Sequence, residues 1–171
     1  MKIALQRQIG RVLGRGGQAA VVIGVAVLAG CGARPEPSDV LRVQQPVRLE
    51  LLAFTGLSDF DGDGTLDGYS VRVLPSDAFG DPIKAVGLFR AELYLFRKAS
   101  SDPRGERIGF WEVGVDSVAA QRQFWSVAER CYRFQLESDR PYPPGTRLVL
   151  DLTYTNPFAE RLFARQVFEL P

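Results

Sequence analysis

Beyond residue 46 apolar and polar positions alternate along most of the chain, the period of a strand with one buried face. In VRLELLAF (47–54), Val47, Leu49, Leu51 and Ala53 share one face and Arg48 and Glu50 the other. The same period predicts strands over 69–73, 88–96, 107–113, 131–137, 147–154 and 161–170. Turn residues separate them: Asp67-Gly68, Gly80-Asp81-Pro82, Ser101 to Gly105, Pro143-Pro144-Gly145 and Asn156-Pro157. One stretch departs from the pattern. Between Asp116 and Arg130, Ala120, Phe124 and Val127 recur at helical spacing behind a cap at Asp116 or Ser117. The expected fold is all-β, an antiparallel sandwich of about seven strands with one short crossover helix.

The first thirty residues have a different pattern. Lys2, Arg7, Arg11 and Arg15 precede the apolar run AAVVIGVAVLAG (19–30), which has the size of a signal-peptide core and falls short of the roughly twenty residues a transmembrane helix needs. The run ends at Leu28-Ala29-Gly30-Cys31, which resembles the lipobox of bacterial lipoproteins. That resemblance implies a signal peptide over 1–30 and a lipid-anchored extracytoplasmic protein whose Cys31 is acylated and inserts in the bilayer. Gly32 stands where an aspartate often signals retention at the inner membrane, which points to the outer membrane of the bacterial envelope. Loss of Lys2, Arg7, Arg11 and Arg15, with no acidic residue, would take the formal charge from +1 to −3. A balance this weak gives no reason to expect nucleic acid as a partner.

With Cys31 modified, Cys131 has no partner within the chain, so no disulfide framework is expected. Residues 31–46 are rich in proline, glycine and polar types and read as a flexible tether; 47–171 is long enough for one hydrophobic core. The order of elements resembles immunoglobulin-like and fibronectin-like bacterial modules. PPGTRLVLDLTY (143–154) looks like the turn and penultimate strand of such a domain, and DAFGDPIKA (77–85) is similar to a segment of invasin-type repeats. The whole resembles uncharacterised bacterial lipoproteins that place a DxDGDGxxDG loop ahead of a β-sandwich.

That loop is DFDGDGTLDG (59–68), four aspartates and three glycines in ten residues. Asp59, Asp61 and Asp63 occupy alternate positions, Gly64 allows a sharp turn, the Thr65 carbonyl follows, and Asp67 comes two residues later, a spacing in which oxygens converge on one hard cation. Ser70 stands where an EF-hand has its bidentate glutamate, and strands, not helices, flank the loop. It therefore resembles the calcium loops of dockerins and thrombospondin type 3 repeats. Oxygen ligands alone, with no histidine or cysteine beside them, favour Ca2+ over a transition metal, and the carboxylate crowding favours it over Mg2+. Two alternatives stand beside calcium: a solvated turn, and Asp61-x-Asp63-Gly-Thr, which resembles the nucleophile motif of haloacid-dehalogenase-type phosphatases. The phosphatase motif must follow a buried parallel strand in an alternating α/β fold.

The chain has no histidine, which removes Ser-His-Asp and Cys-His catalysis and the usual zinc sites. Cys131 is expected to be an unreactive strand residue, and Glu92, Glu112 and Asp151 show no spacing that singles out an acid/base pair. Trp111, Phe124, Trp125 and Tyr142 are expected in or against the core, whereas Phe158, in a loop between strands, is the best candidate for contact with a partner. The expected function is binding or structural, not catalytic, with an envelope protein or polysaccharide as the partner. A small phosphatase or a carbohydrate-binding module are the alternatives.

Overall fold

The computed structural model describes residues 43–53, 55–138 and 142–171. The expected signal segment, Cys31 and the expected tether through residue 42 lie outside the described residues, as do Phe54 and residues 139–141. In chain order the elements are β1 (Arg48–Leu51), β2 (Gly56–Ser58), β3 (Gly68–Ser76), β4 (Leu88–Phe96), β5 (Arg104–Gly114), α1 (Val118–Phe124), β6 (Trp125–Ser126), β7 (Cys131–Glu137), β8 (Arg147–Thr155) and β9 (Leu162–Glu169). One sheet has the order β1-β3-β7-β6 with β2 also on β3, and the other β5-β4-β8-β9. Every strand pairing among the described residues is antiparallel. This is the Greek-key order of an immunoglobulin-like sandwich, with β1, β3, β7 and β6 in one layer and β9, β8, β4 and β5 in the other.

Alternation fixes which face each strand buries. Tyr69, Val71 and Val73 of β3 and Tyr132, Phe134 and Leu136 of β7 meet Phe89, Ala91 and Leu93 of β4 and Leu150, Leu152 and Tyr154 of β8 in one core. Phe89 sits at its centre, its ring 5.2 Å from Phe134 and 4.9 Å from Tyr154. On β4 the intervening Arg90 points outward, and on β7 so do Arg133 and Gln135.

The structure corrects three expectations. The strand expected over 47–54 is broken: Leu51 faces Val73 and Gly56 faces Ser70, so residues 52–55 oppose only Val71 and Arg72. Leu52 N donates to Arg72 O (2.9 Å) while Arg72 N donates to the Thr55 hydroxyl (3.2 Å), so a side chain stands in for the missing ladder partner. Secondly, β3 runs past Val73 through Pro75 to Ser76. Pro75 is tolerated because β7 stops pairing at Val73↔Tyr132, where no neighbour requires the missing N–H.

Thirdly, the helical spacing does not extend to Val127. Ser117 caps α1 by accepting from Ala120 N, the helix ends at Phe124, and Trp125-Ser126 turn into β6, leaving Val127 81% exposed. Strand β6 and the fragment β2 raise the count from seven expected strands to nine.

The two ends of the sandwich differ. At one end Val47 N donates to Ser76 O (2.8 Å) and Asn156 Nδ2 donates to Gln45 Oε1 (2.6 Å), so Gln45, expected in the tether, is held by the β8–β9 turn. From there β1 and β2 run the length of the layer, and the aspartate loop forms at the opposite end.

Candidate functional site

The loop between β2 and β3 is closed at its base. Asp67 N donates to Ser58 O (3.1 Å), and Ser138 N, just beyond β7, donates to Asp67 O (2.9 Å). Within the loop the carboxylates organise the backbone. Asp59 Oδ1 accepts from Asp61 N (3.2 Å) and Gly62 N (2.6 Å), and Asp59 Oδ2 accepts from Gly64 N (2.8 Å). Asp61 Oδ1 accepts from Asp63 N (3.1 Å), Asp63 Oδ1 from Thr65 N (2.6 Å), and Asp67 Oδ2 from Phe60 N (2.6 Å). Gly64 sits at φ +90°, a conformation that side chains with a Cβ seldom adopt.

These bonds have an electrostatic effect. The N–H groups of Gly64 and Gly62 hold the Asp59 carboxyl below its ordinary range. Asp59, Asp61 and Asp67 each offer an oxygen within 4.8 Å of the others, close enough to share one ion. The Asp63 carboxylate, predicted as a fourth ligand, is not in this converging group, and Thr65 is exposed. Beside the loop lies a groove of about 1010 Å³ walled by Leu57, Phe60, Leu66 and Tyr142, with Glu137 and Ser138 as polar neighbours.

An oxygen-only set suits a hard cation such as Ca2+, which takes 6–8 oxygens and accepts irregular geometry. Three aspartates would leave positions for backbone carbonyls and water. The phosphatase reading lacks its structural setting, because Asp61 follows a three-residue strand in an antiparallel sheet.

The other predicted positions fall as follows. Cys31 lies outside the described residues. Cys131 is fully buried, its thiol 3.6 Å from Glu129 Oε2, and burial followed by that negative charge pushes its pKa up. Glu92 pairs with Arg107 (2.9 Å), Glu112 with Arg90 (2.7 Å), and Asp151 with Arg104 (3.3 Å) and Arg165. Trp111, Phe124, Trp125 and Tyr142 pack against the core, and Trp111 Nε1 donates to Glu137 O (2.9 Å). Phe158 is 71% exposed.

Sequence reasoning missed the arginine–carboxylate ladder on the outer face of the second sheet, where Asp102 also pairs with Arg104 at 2.7 Å. Its signal was present as Arg90 and Glu92 on β4 and Arg104, Arg107 and Glu112 on β5, but the partners sit on different strands. No helix among the described residues is long and apolar enough to cross a membrane. Comparison with known proteins finds no family model, no curated protein and no solved structure that matches the chain.

Proposed function

We propose that this chain is a lipid-anchored protein of the bacterial envelope, held through acylated Cys31 and probing its surroundings with a calcium-stabilised loop. Its role is binding or structural, with an envelope protein or polysaccharide as the partner. The observation that carries the metal reading is the convergence of Asp59, Asp61 and Asp67 oxygens within 4.8 Å. Without a cation these like charges repel; with one, the repulsion becomes coordination and ties β2 to β3. Position adds support, because the loop lies at the end of the sandwich away from the anchored segment, free to meet a partner.

The test is thermal unfolding of the full chain in detergent with EDTA, with millimolar Ca2+ and with millimolar Mg2+. A ligand at 100 times its dissociation constant adds about 2.7 kcal/mol, which at this size raises the midpoint by roughly 5 to 10 °C. A rise with Ca2+ that Mg2+ does not match supports the reading. No shift with either reduces the loop to a polar turn.

A further inference from the structure

The end of the sandwich where the tether joins carries exposed apolar side chains that the core does not need. Phe79 is 76% exposed, Phe158 71%, Val43 51% and Val47 50%. Both phenylalanines sit on turns pinned by their own side chains. Asp77 Oδ1 accepts from Phe79 N (2.9 Å) and Asp81 N (3.0 Å), and Asn156 Oδ1 accepts from Phe158 N (2.7 Å). Asn156 in turn donates to Gln45, so the β8–β9 turn and the incoming chain are one unit. A groove of about 750 Å³ runs between these turns, lined by Val43, Val47, Ala78, Pro157, Phe158 and Leu162 among others. Apolar groups on turns fixed in advance lose little freedom on contact with an apolar phase.

We propose that this end of the domain is a membrane-contact surface, with Phe79 and Phe158 seated in the headgroup–acyl boundary of the bilayer that holds Cys31. The inference rests on the lipid-anchor reading and extends it from tethering to orientation. What selects lipid as the occupant is the length of chain outside the described residues and where it ends. Only residues 32–42 separate Cys31 from Val43, which itself lines the groove. Eleven residues reach about 36 Å when extended and about 18 Å as a flexible coil. This end is therefore the face nearest the bilayer, and a tether of that length presents it to lipid at an effective concentration in the millimolar range. Glu160 lines the groove and Asp77 and Asp81 flank Phe79 on its turn, so the rim is acidic and the contact, made by apolar groups, does not require anionic lipid.

The experiment uses the full acylated chain in phosphatidylcholine vesicles, with and without phosphatidylglycerol, containing a spin-labelled lipid as quencher. A fluorophore is placed at Ala78→Cys in one sample and at Thr65→Cys, at the opposite end, in another; Cys131 is buried and stays unlabelled. Quenching severalfold stronger at position 78 than at 65, in both lipid mixtures, supports the proposal. So does its loss in Phe79→Ser combined with Phe158→Ser, provided that variant keeps its melting temperature and its vesicle binding. Equal quenching at the two positions, or none at either, overturns it while leaving the anchor intact. Contact that appears in detergent and scales with protein concentration assigns the surface to a second copy and also overturns it. A mass spectrum showing unmodified Cys31 defeats the anchor reading itself, and the orientation with it.

Discussion

The Tyr132 hydroxyl donates to Gln121 Oε1 at 2.8 Å, so one polar side chain of α1 is joined to a buried ring of the core. The Gln121 amide nitrogen completes the tie, donating to the carbonyls of Ala85 (2.6 Å) and Val115 (2.7 Å). The crossover helix is thus pinned by hydrogen bonds at the point where β4 and β5 meet their flanking segments. Gln121→Leu takes the amide donor from the Val115 carbonyl and leaves the Tyr132 hydroxyl only its bonds to Ala85 N (2.9 Å) and Ala85 O (3.0 Å), and is expected to cost about 1–3 kcal/mol, read as a fall of several degrees in the unfolding midpoint.

The converging and non-converging aspartates separate by mutation. Asp61→Asn combined with Asp67→Asn removes two of the three oxygens that meet and is expected to abolish the Ca2+ response of the unfolding midpoint. Asp63→Asn leaves the converging set whole and is expected to keep most of that response. Equal losses in the two variants would place Asp63 among the ligands.

Gly68 closes the loop against β7. A Cβ there would lie 2.2 Å from the Leu136 carbonyl oxygen, so the β3–β7 ladder would have to part. Gly68→Ala is expected to destabilise by roughly 1–3 kcal/mol in chemical denaturation. Gly64→Ala meets no atom and carries only the strain of its φ, about 1–2 kcal/mol. The order of the two losses is the measurement.

Much of this could be read from the sequence, and the exceptions share a cause. β4 and β7 fall where alternation placed them, because each presents one buried face without interruption. The break at residues 52–55 stayed hidden: Leu51-Leu52-Ala53 continues an apolar stretch, and the irregularity is defined by Arg72 and Thr55, seventeen residues apart. Val127 misled for a related reason, since helical spacing says nothing of where the chain turns to pair with Cys131. In the loop, sequence spacing named the aspartates, but which carboxylates converge depends on the bonds that Asp59 makes to Gly62 and Gly64.

Acid exposes one ion pair. The hydrogen bonds from Arg104 hold the Asp102 carboxyl down at about 2, against an ordinary value of 3.8. Because the folded value is the lower one, its contribution is complete above about pH 4 and lost as the pH falls towards 2. The pair is solvent-accessible, so added salt shrinks the effect. Asp102→Asn is expected to flatten the stability profile in that window, measured by denaturant titration at low ionic strength.

Tyr69 offers the opposite test. Its hydroxyl is buried with no hydrogen-bond partner among the described residues, and burial, with Tyr142 nearby, pushes its pKa up to about 12. Its ring still packs edge-on against Trp111 and Phe168. Tyr69→Phe keeps the ring and removes the stranded oxygen, and is expected to leave stability unchanged or raise it by about 1 kcal/mol in calorimetry.

The first strand also sets how the domain would bear load. β1 leaves the end of the sandwich that holds Gln45 and runs antiparallel to β3, and the break after Leu51 interrupts it before β2 resumes against the same neighbour. Tension arriving through the N-terminus acts along the strand, so the bonds from Arg48 to Leu51 are sheared together instead of opened one by one. Residues 52–55 lie behind those bonds, so such a pull reaches them only after β1 has parted, and β2 and the aspartate loop only after that. The segment nearest the N-terminus can then yield while the far end keeps its shape.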